Sequence, residues 1–219
     1  MTFQELKEVS LAWAEQNCFK RKVLEAEKII QSAQKLPGKK YVAFSGGKDS
    51  AALLHLLMKF DSEILIYHYY RYKFMPEEFE NESIRIAKEL GGHNFYIVKG
   101  GDTYRKLFGE IIPRLYAKGY RISFIGLRKD ESITRRNRIN SNRSLSKIKE
   151  IWPIQNFDWR DVWAYLFHNN IPIHSAYKKY GPIMGWDHVR FVNFFNPKHD
   201  IYGGPNIDGM LLWRLRNKK

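Results

Sequence analysis

Cysteine is all but missing from this sequence: Cys18 is the single one in 219 residues. One thiol excludes an intrachain disulfide, a cysteine-ligated zinc site and an iron–sulfur cluster held by this chain alone. Cys18 itself reads as a helix-face residue rather than a nucleophile. Long apolar runs are missing too, so nothing matches the roughly 18 consecutive apolar residues of a bilayer-crossing helix. The opening "MTFQELKEVS" mixes acids and amides where a secretory leader starts basic and turns apolar. A soluble, cytoplasmic protein with no membrane partner is expected. Acidic residues are few, 23 against 37 Lys and Arg, which leaves a net charge of +14. That balance points to anionic partners, whether nucleotides, nucleic acid or an acidic protein, without choosing among them. Internal repeats and low-complexity tracts are also lacking.

What is present is an alternation. With 44% hydrophobic residues the chain can bury one substantial core, so one structural domain is expected. Residues 4–35 show helical spacing, with Leu6, Val9 and Trp13 on one face, before Pro37-Gly38 closes that stretch. "YVAF" (41–44), "EILIYHYY" (63–70), "FYIV" (95–98) and "ISFIG" (122–126) read as buried strands, and "IWPI" (151–154) as a fifth. Helical patterns fall between them at 48–60, 77–90 and 103–118, with another at 158–170. Strands alternating with helices predict an α/β fold, a Rossmann-like doubly wound parallel sheet of about five strands. The expected organisation is an N-terminal helical extension over 1–38, an α/β core over 39–175 and an irregular C-terminal segment over 176–219.

The hexapeptide "SGGKDS" follows the first strand and opens the next helix, where ligands of open parallel sheets bind. A helix N-terminus offers backbone N–H groups and the positive end of a dipole, and Gly46 and Gly47 let a phosphate come close to the backbone. Ser45 and Ser50 add hydroxyls and Lys48 a positive charge. Asp49 would repel bare phosphate, so it suits a magnesium ion or a helix cap better. After the fourth strand Arg128, Arg135, Arg136, Arg138 and Arg143 cluster on the same sheet edge, where guanidinium groups could clamp a polyphosphate or sulfate; a solvated basic loop is the rival explanation. Tyr67, His68 and Tyr69 could stack on an adenosine, although packing accounts better for two of the three. Asp158, Trp159 and Asp161 read as helix-capping and packing residues, and His174, His188 and His199 lie too far apart to argue for a metal.

"SGGKDS" after "YVAF" resembles the pyrophosphate-binding S-G-G-x-D-S loop of the adenine nucleotide alpha hydrolase superfamily, and lacks Walker A spacing. "FIGLRKDESITRR" (124–136) and "WPIQNFDWRDVWAYLFHNNIP" (152–172) resemble two further segments of phosphoadenosine phosphosulfate reductases and of the catalytic subunit of ATP sulfurylase, in family order. The resemblance implies ATP as substrate, magnesium as cofactor with Asp49 as its ligand, and Lys48, Asp49 and Arg128 as catalytic residues. Its implied nucleotide-binding set is Ser45, Gly46, Gly47, Lys48, Asp49, Ser50, Tyr67, Gly126, Arg128 and Arg135.

Departures from the family narrow the chemistry. The reductases resemble one another in an E-C-G-L-H segment, whereas this chain ends "NIDGMLLWRLRNKK". Without that thiolate the reductase reading is disfavoured. Related phosphorothioation enzymes carry cysteines after a Y-x-x-x-G segment; here "AYKKYGPIMGWDH" has none. The expectation is therefore an ATP pyrophosphatase or adenylyltransferase acting at the α-phosphate and releasing pyrophosphate onto an unknown acceptor. The alternative is a non-catalytic nucleotide-binding or nucleic-acid-associated subunit of a sulfur-modification complex. A protein partner or a second copy of the chain is expected by resemblance only.

Overall fold

The computed structural model describes residues 1–70, 76–99, 106–187 and 189. Two helices open the chain, α1 over Phe3–Ala14 and α2 over Asn17–Gln34, where the sequence predicts one. A capping box between Thr2 and Glu5 starts α1, and extended backbone at Gln16 separates the pair. There follow β1 (Lys39–Phe44), α3 (Lys48–Met58), β2 (Leu65–Tyr70), α4 (Glu77–Glu89) and β3 (Phe95–Lys99). A π-helical turn over Leu107–Ile111 leads into α5 (Ile112–Ala117), which carries Pro113 near its start. β4 (Tyr120–Ile125), α6 (Ile133–Asn140), β5 (Lys149–Ile151), α7 (Trp159–His168) and α8 (Ser175–Met184) complete the order.

Every strand pairing is parallel, in the order β3-β2-β1-β4-β5. The chain winds outward from β1 to β3, then crosses back to place β4 on the other side of β1, which makes this a Rossmann-like doubly wound sheet. Alternate side chains of each strand serve opposite faces. Val42, Phe44, Ile66, Ile122 and Phe124 join the larger core with residues of α1, α2, α3, α4 and α7. Tyr41, Leu65 and Tyr67 face the smaller one, beneath Ile111 and Leu115. The N-terminal helices dock on α7 through Asp161, which is fully buried. Its carboxylate accepts Trp13 Nε1 at 2.9 Å and Lys22 Nζ at 2.5 Å while also completing the Asp158 capping box of α7. Asp158 and Asp161 thus cap and pack, as their spacing suggests.

Two elements depart from expectation. The arginine-rich run after β4 contains helix α6, and the segment expected to be irregular from residue 176 opens inside helix α8. Cys18 is exposed on α2. Among the described residues no helix is long and apolar enough to cross a membrane.

Candidate active site

The crevice between β1 and β4 is where the strand order reverses, and both of its walls carry sequence-predicted residues. Ser45 to Ser50 leave the end of β1 and enter α3; Gly126 to Arg128 leave the end of β4. The two walls touch through backbone. A Cβ on Gly126 would lie 3.0 Å from the Asp49 carbonyl oxygen and 3.2 Å from the Ser50 nitrogen. Gly126 therefore acts by permitting close approach, not by binding a ligand with a side chain.

Gly46 is fixed in the same way from the opposite side. It adopts φ +82°, and a Cβ there would collide with the Ser83 side chain of α4. Just before it, His68 Nδ1 donates to the Phe44 carbonyl at 2.9 Å and its Nε2 faces Glu80 at 2.7 Å, with both side chains buried. His68 thus orients the last residue of β1, an assignment that packing arguments from the sequence did not reach.

Several loop N–H groups are held by the protein itself. Ser45 N–H donates to Ser50 Oγ at 3.3 Å, Gly47 N–H to Ser45 Oγ at 3.3 Å, and Lys48 N–H to Tyr177 Oη at 3.0 Å. Tyr177, from α8, is a residue the sequence did not single out. It lies in the Y-x-x-x-G pattern with Gly181, where a Cβ would lie 2.0 Å from the Trp186 ring, so the glycine of that pattern is a packing requirement. Trp186 in turn stands edge-on to Trp163 at 5.5 Å.

The charged groups form a compact network. Arg128 Nε donates to Asp49 Oδ1 at 2.6 Å and its Nη1 to Asp130 Oδ2 at 3.2 Å. Lys48 Nζ lies 3.4 Å from Asp49 Oδ2 and donates to the Val189 carbonyl at 2.8 Å. Glu131 accepts the Arg128 N–H at 3.1 Å and pairs with Arg135. Three cations, Lys48, Arg128 and Arg135, thus stand against three carboxylates, Asp49, Asp130 and Glu131. Burial opposes the Arg128 charge, yet the charge of Asp49, then Glu131, and the Asp49 hydrogen bond push its pKa up. Arg128 is cationic throughout the accessible pH range.

The described residues show where three of the expected site residues lie. Lys48 is only 2% exposed, and its ammonium lies between the Val189 carbonyl and Asp49. Each Asp49 oxygen faces a cation, and the described residues contain no group of three or more His, Cys, Asp or Glu that could hold a metal. Tyr67 packs against Tyr41 and Tyr96 in the smaller core, with its hydroxyl buried. Arg138 is likewise structural, paired with Glu150 beside the Trp152 ring, while Arg136 and Arg143 are exposed. His174 is a buried helix cap. His188 and His199 lie outside the described residues.

Residues 104–190 match the phosphoadenosine phosphosulfate reductase domain. That stretch of the chain is similar to the domain. The chain is 34% identical over 65 residues to an adenosine 5'-phosphosulfate reductase from Lysinibacillus sphaericus (strain C3-41), a stretch covering 29% of this chain and 28% of that reductase. The domain match takes in Gly126, Arg128, Arg135 and Tyr177, and starts after the glycine loop. The fold of this chain is similar to that of Candida glabrata FMN adenylyltransferase, at TM-score 0.57 and 15% identity over 79% of this chain and 65% of the other. It is also similar to a U34-tRNA thiolase from Methanococcus maripaludis solved with its 4Fe–4S cluster, at TM-score 0.52 and 16% identity over 93% and 82% of the two chains.

Proposed function

We propose that this protein binds an adenine nucleotide in the β1–β4 crevice, with its polyphosphate at Ser45–Ser50, and acts at the α-phosphate to release pyrophosphate. One observation carries the reading: Arg128, from the end of β4, meets Asp49 of the glycine loop at the topological switch point of a doubly wound sheet. A guanidinium held there can turn from carboxylate to phosphate oxygens, both of which it binds with the same planar fork. The α3 N-terminus lends its dipole to the departing pyrophosphate, so the chain's contribution is positioning and electrostatic stabilisation. Magnesium enters as part of the nucleotide substrate, and no step is assigned to a protein-held ion. The similar proteins include two reductases or transferases of nucleotides and a thiolase, which supports the class and leaves the acceptor open.

The test is pyrophosphate release from magnesium–ATP by the wild type and Arg128→Ala, with water alone, sulfate and flavin mononucleotide offered in turn. Release that needs Arg128 and rises with one acceptor is the expected result. Tight ATP binding with no release under any condition would replace this reading by that of a nucleotide-binding subunit.

A second reading is favoured by a surface feature. Arg136, Arg143, Lys147 and Lys149 are all exposed around α6 and β5 on a chain of net charge +14, a distribution suited to nucleic acid. Binding to RNA or DNA that weakens steeply between 50 and 200 mM salt, by about 10²-fold or more for four phosphate contacts, would support it; salt-independent binding would not.

A further inference from the structure

Tyr177 sits against the glycine loop from a different element, about 130 residues away in sequence, and its hydroxyl takes a hydrogen bond from the first N–H of α3. The residue is 1% exposed. Its ring is wedged edge-on to Trp163 at 5.5 Å, and Lys48 Nζ lies 5.6 Å from its centre. The helix that carries it is anchored at its start: Glu82 of α4 accepts Ser175 N–H at 2.9 Å and Ser175 Oγ at 2.6 Å, and His174 stacks on Phe79 at 5.2 Å. Tyr177 is therefore held from behind, and its hydroxyl is presented to the loop by rigid structure.

A backbone N–H has one hydrogen to give. An anion seated on the α3 N-terminus and using the Lys48 N–H must take that hydrogen from Tyr177 Oη. We infer that Tyr177 is a positioning residue that caps the loop in competition with phosphate, so that it sets how tightly the loop holds pyrophosphate. The inference rests on the phosphate site proposed above and adds its regulation. In the free protein the hydroxyl satisfies a buried donor, and in the occupied one the phosphate oxygen does so. Removing the hydroxyl raises the energy of the free protein alone, because an unpaired buried N–H is costly. Product release is the functional consequence: a cap that returns to the N–H as pyrophosphate leaves prevents the loop from becoming a trap for its own product.

The variant is Tyr177→Phe, which keeps the ring packed on Trp163. Two quantities are measured on the full chain, namely the affinity for inorganic pyrophosphate by titration calorimetry and the hydrogen-exchange rate of the Lys48 amide without ligand. The expected results are pyrophosphate binding about fivefold tighter or more, and faster Lys48 exchange, both from the loss of one hydrogen bond. A ligand role for the tyrosine predicts the opposite sign of the affinity change. If the wild type binds pyrophosphate and the variant binds it no tighter, the inference is overturned and the proposed function stands. If the wild type binds no pyrophosphate while the Lys48 amide still responds, the phosphate site itself is overturned and Tyr177 is reduced to a structural cap. Binding of adenosine serves as the control, because a general distortion of the crevice would weaken it and overturn the specific role.

Discussion

Arg128 Nε and Asp49 Oδ1 meet at 2.6 Å although 79 residues separate them, and their contact joins the two walls of the crevice. The Arg128 side chain is 2% exposed and that of Asp49 17%. A pair this enclosed is worth little against two apolar residues but is costly to break from one side, since the abandoned charge stays partly buried. Arg128→Ala should lower the unfolding free energy by about 3 kcal/mol. Arg128→Lys should lower it less and still lose nucleotide affinity, because an ammonium cannot span Asp49 and Asp130 together. Urea denaturation of the three proteins measures the first effect, and an unchanged midpoint in Arg128→Ala would contradict it.

Gly46 carries two separable constraints, a positive φ and a close approach by Ser83. Gly46→Ala should destabilise by roughly 2 kcal/mol, the sum of backbone strain and collision. Adding Ser83→Gly should recover only the collision, measured relative to Ser83→Gly alone, which carries its own helix cost. Full recovery in the double variant, read from denaturant midpoints, would show that the backbone conformation costs nothing.

The polar part of the docking of the N-terminal helices centres on one buried carboxylate. Asp161→Ala strands Trp13 Nε1, leaves Lys22 only its longer contact with Asp158 and removes half of a capping box, so a loss of about 3 kcal/mol is expected. Limited proteolysis should then cut within α1 and α2 before the sheet. Equal susceptibility of variant and wild type would count against this attachment.

His174 gives the fold a pH dependence of known sign. Its Nδ1 accepts the Ala176 N–H at 3.1 Å and its Nε2 donates to the Phe79 carbonyl at 3.0 Å, so the ring is neutral in this arrangement. Burial holds its pKa below the ordinary value of 6.5, against the opposing pull of the Phe79 carbonyl and Glu82. The unfolded chain binds the proton first, so stability is complete above pH 6.5 and is lost as the pH falls below it. His174→Asn should abolish that loss, because an asparagine side chain can cap α8 without titrating. Thermal melts of both proteins between pH 5 and 8 test this; parallel curves would refute it.

The sheet was legible because β1, β2, β3 and β4 are short apolar runs punctuated by turns, and the glycine loop was legible because its position after β1 fixes its place in such a sheet. Helix α6 was not: "ITRRNRIN" has no apolar stripe, and what holds it is the Ser132 cap together with buried pairs from Arg135 to Glu131 and from Arg138 to Glu150. Helix α8 was hidden by Gly181, Pro182 and Gly185, which read as breakers. Two of them lie within the helix, and only Gly185, at φ 85°, ends it. The partners of Lys48 and Asp49 could not be read at all. Both depend on contacts made across the fold, and such contacts turned a presumed phosphate ligand toward Val189 and a presumed metal ligand toward Arg128.

The most direct test of the account compares the affinities of the wild type for magnesium–ATP and for AMP, and repeats the comparison with Arg128→Ala. If the β- and γ-phosphates rest on the glycine loop, ATP binds at least tenfold tighter than AMP, a difference of about 1.4 kcal/mol, and the gap narrows in the variant. Equal affinity of the wild type for the two nucleotides would contradict the account, since the loop would then hold no polyphosphate.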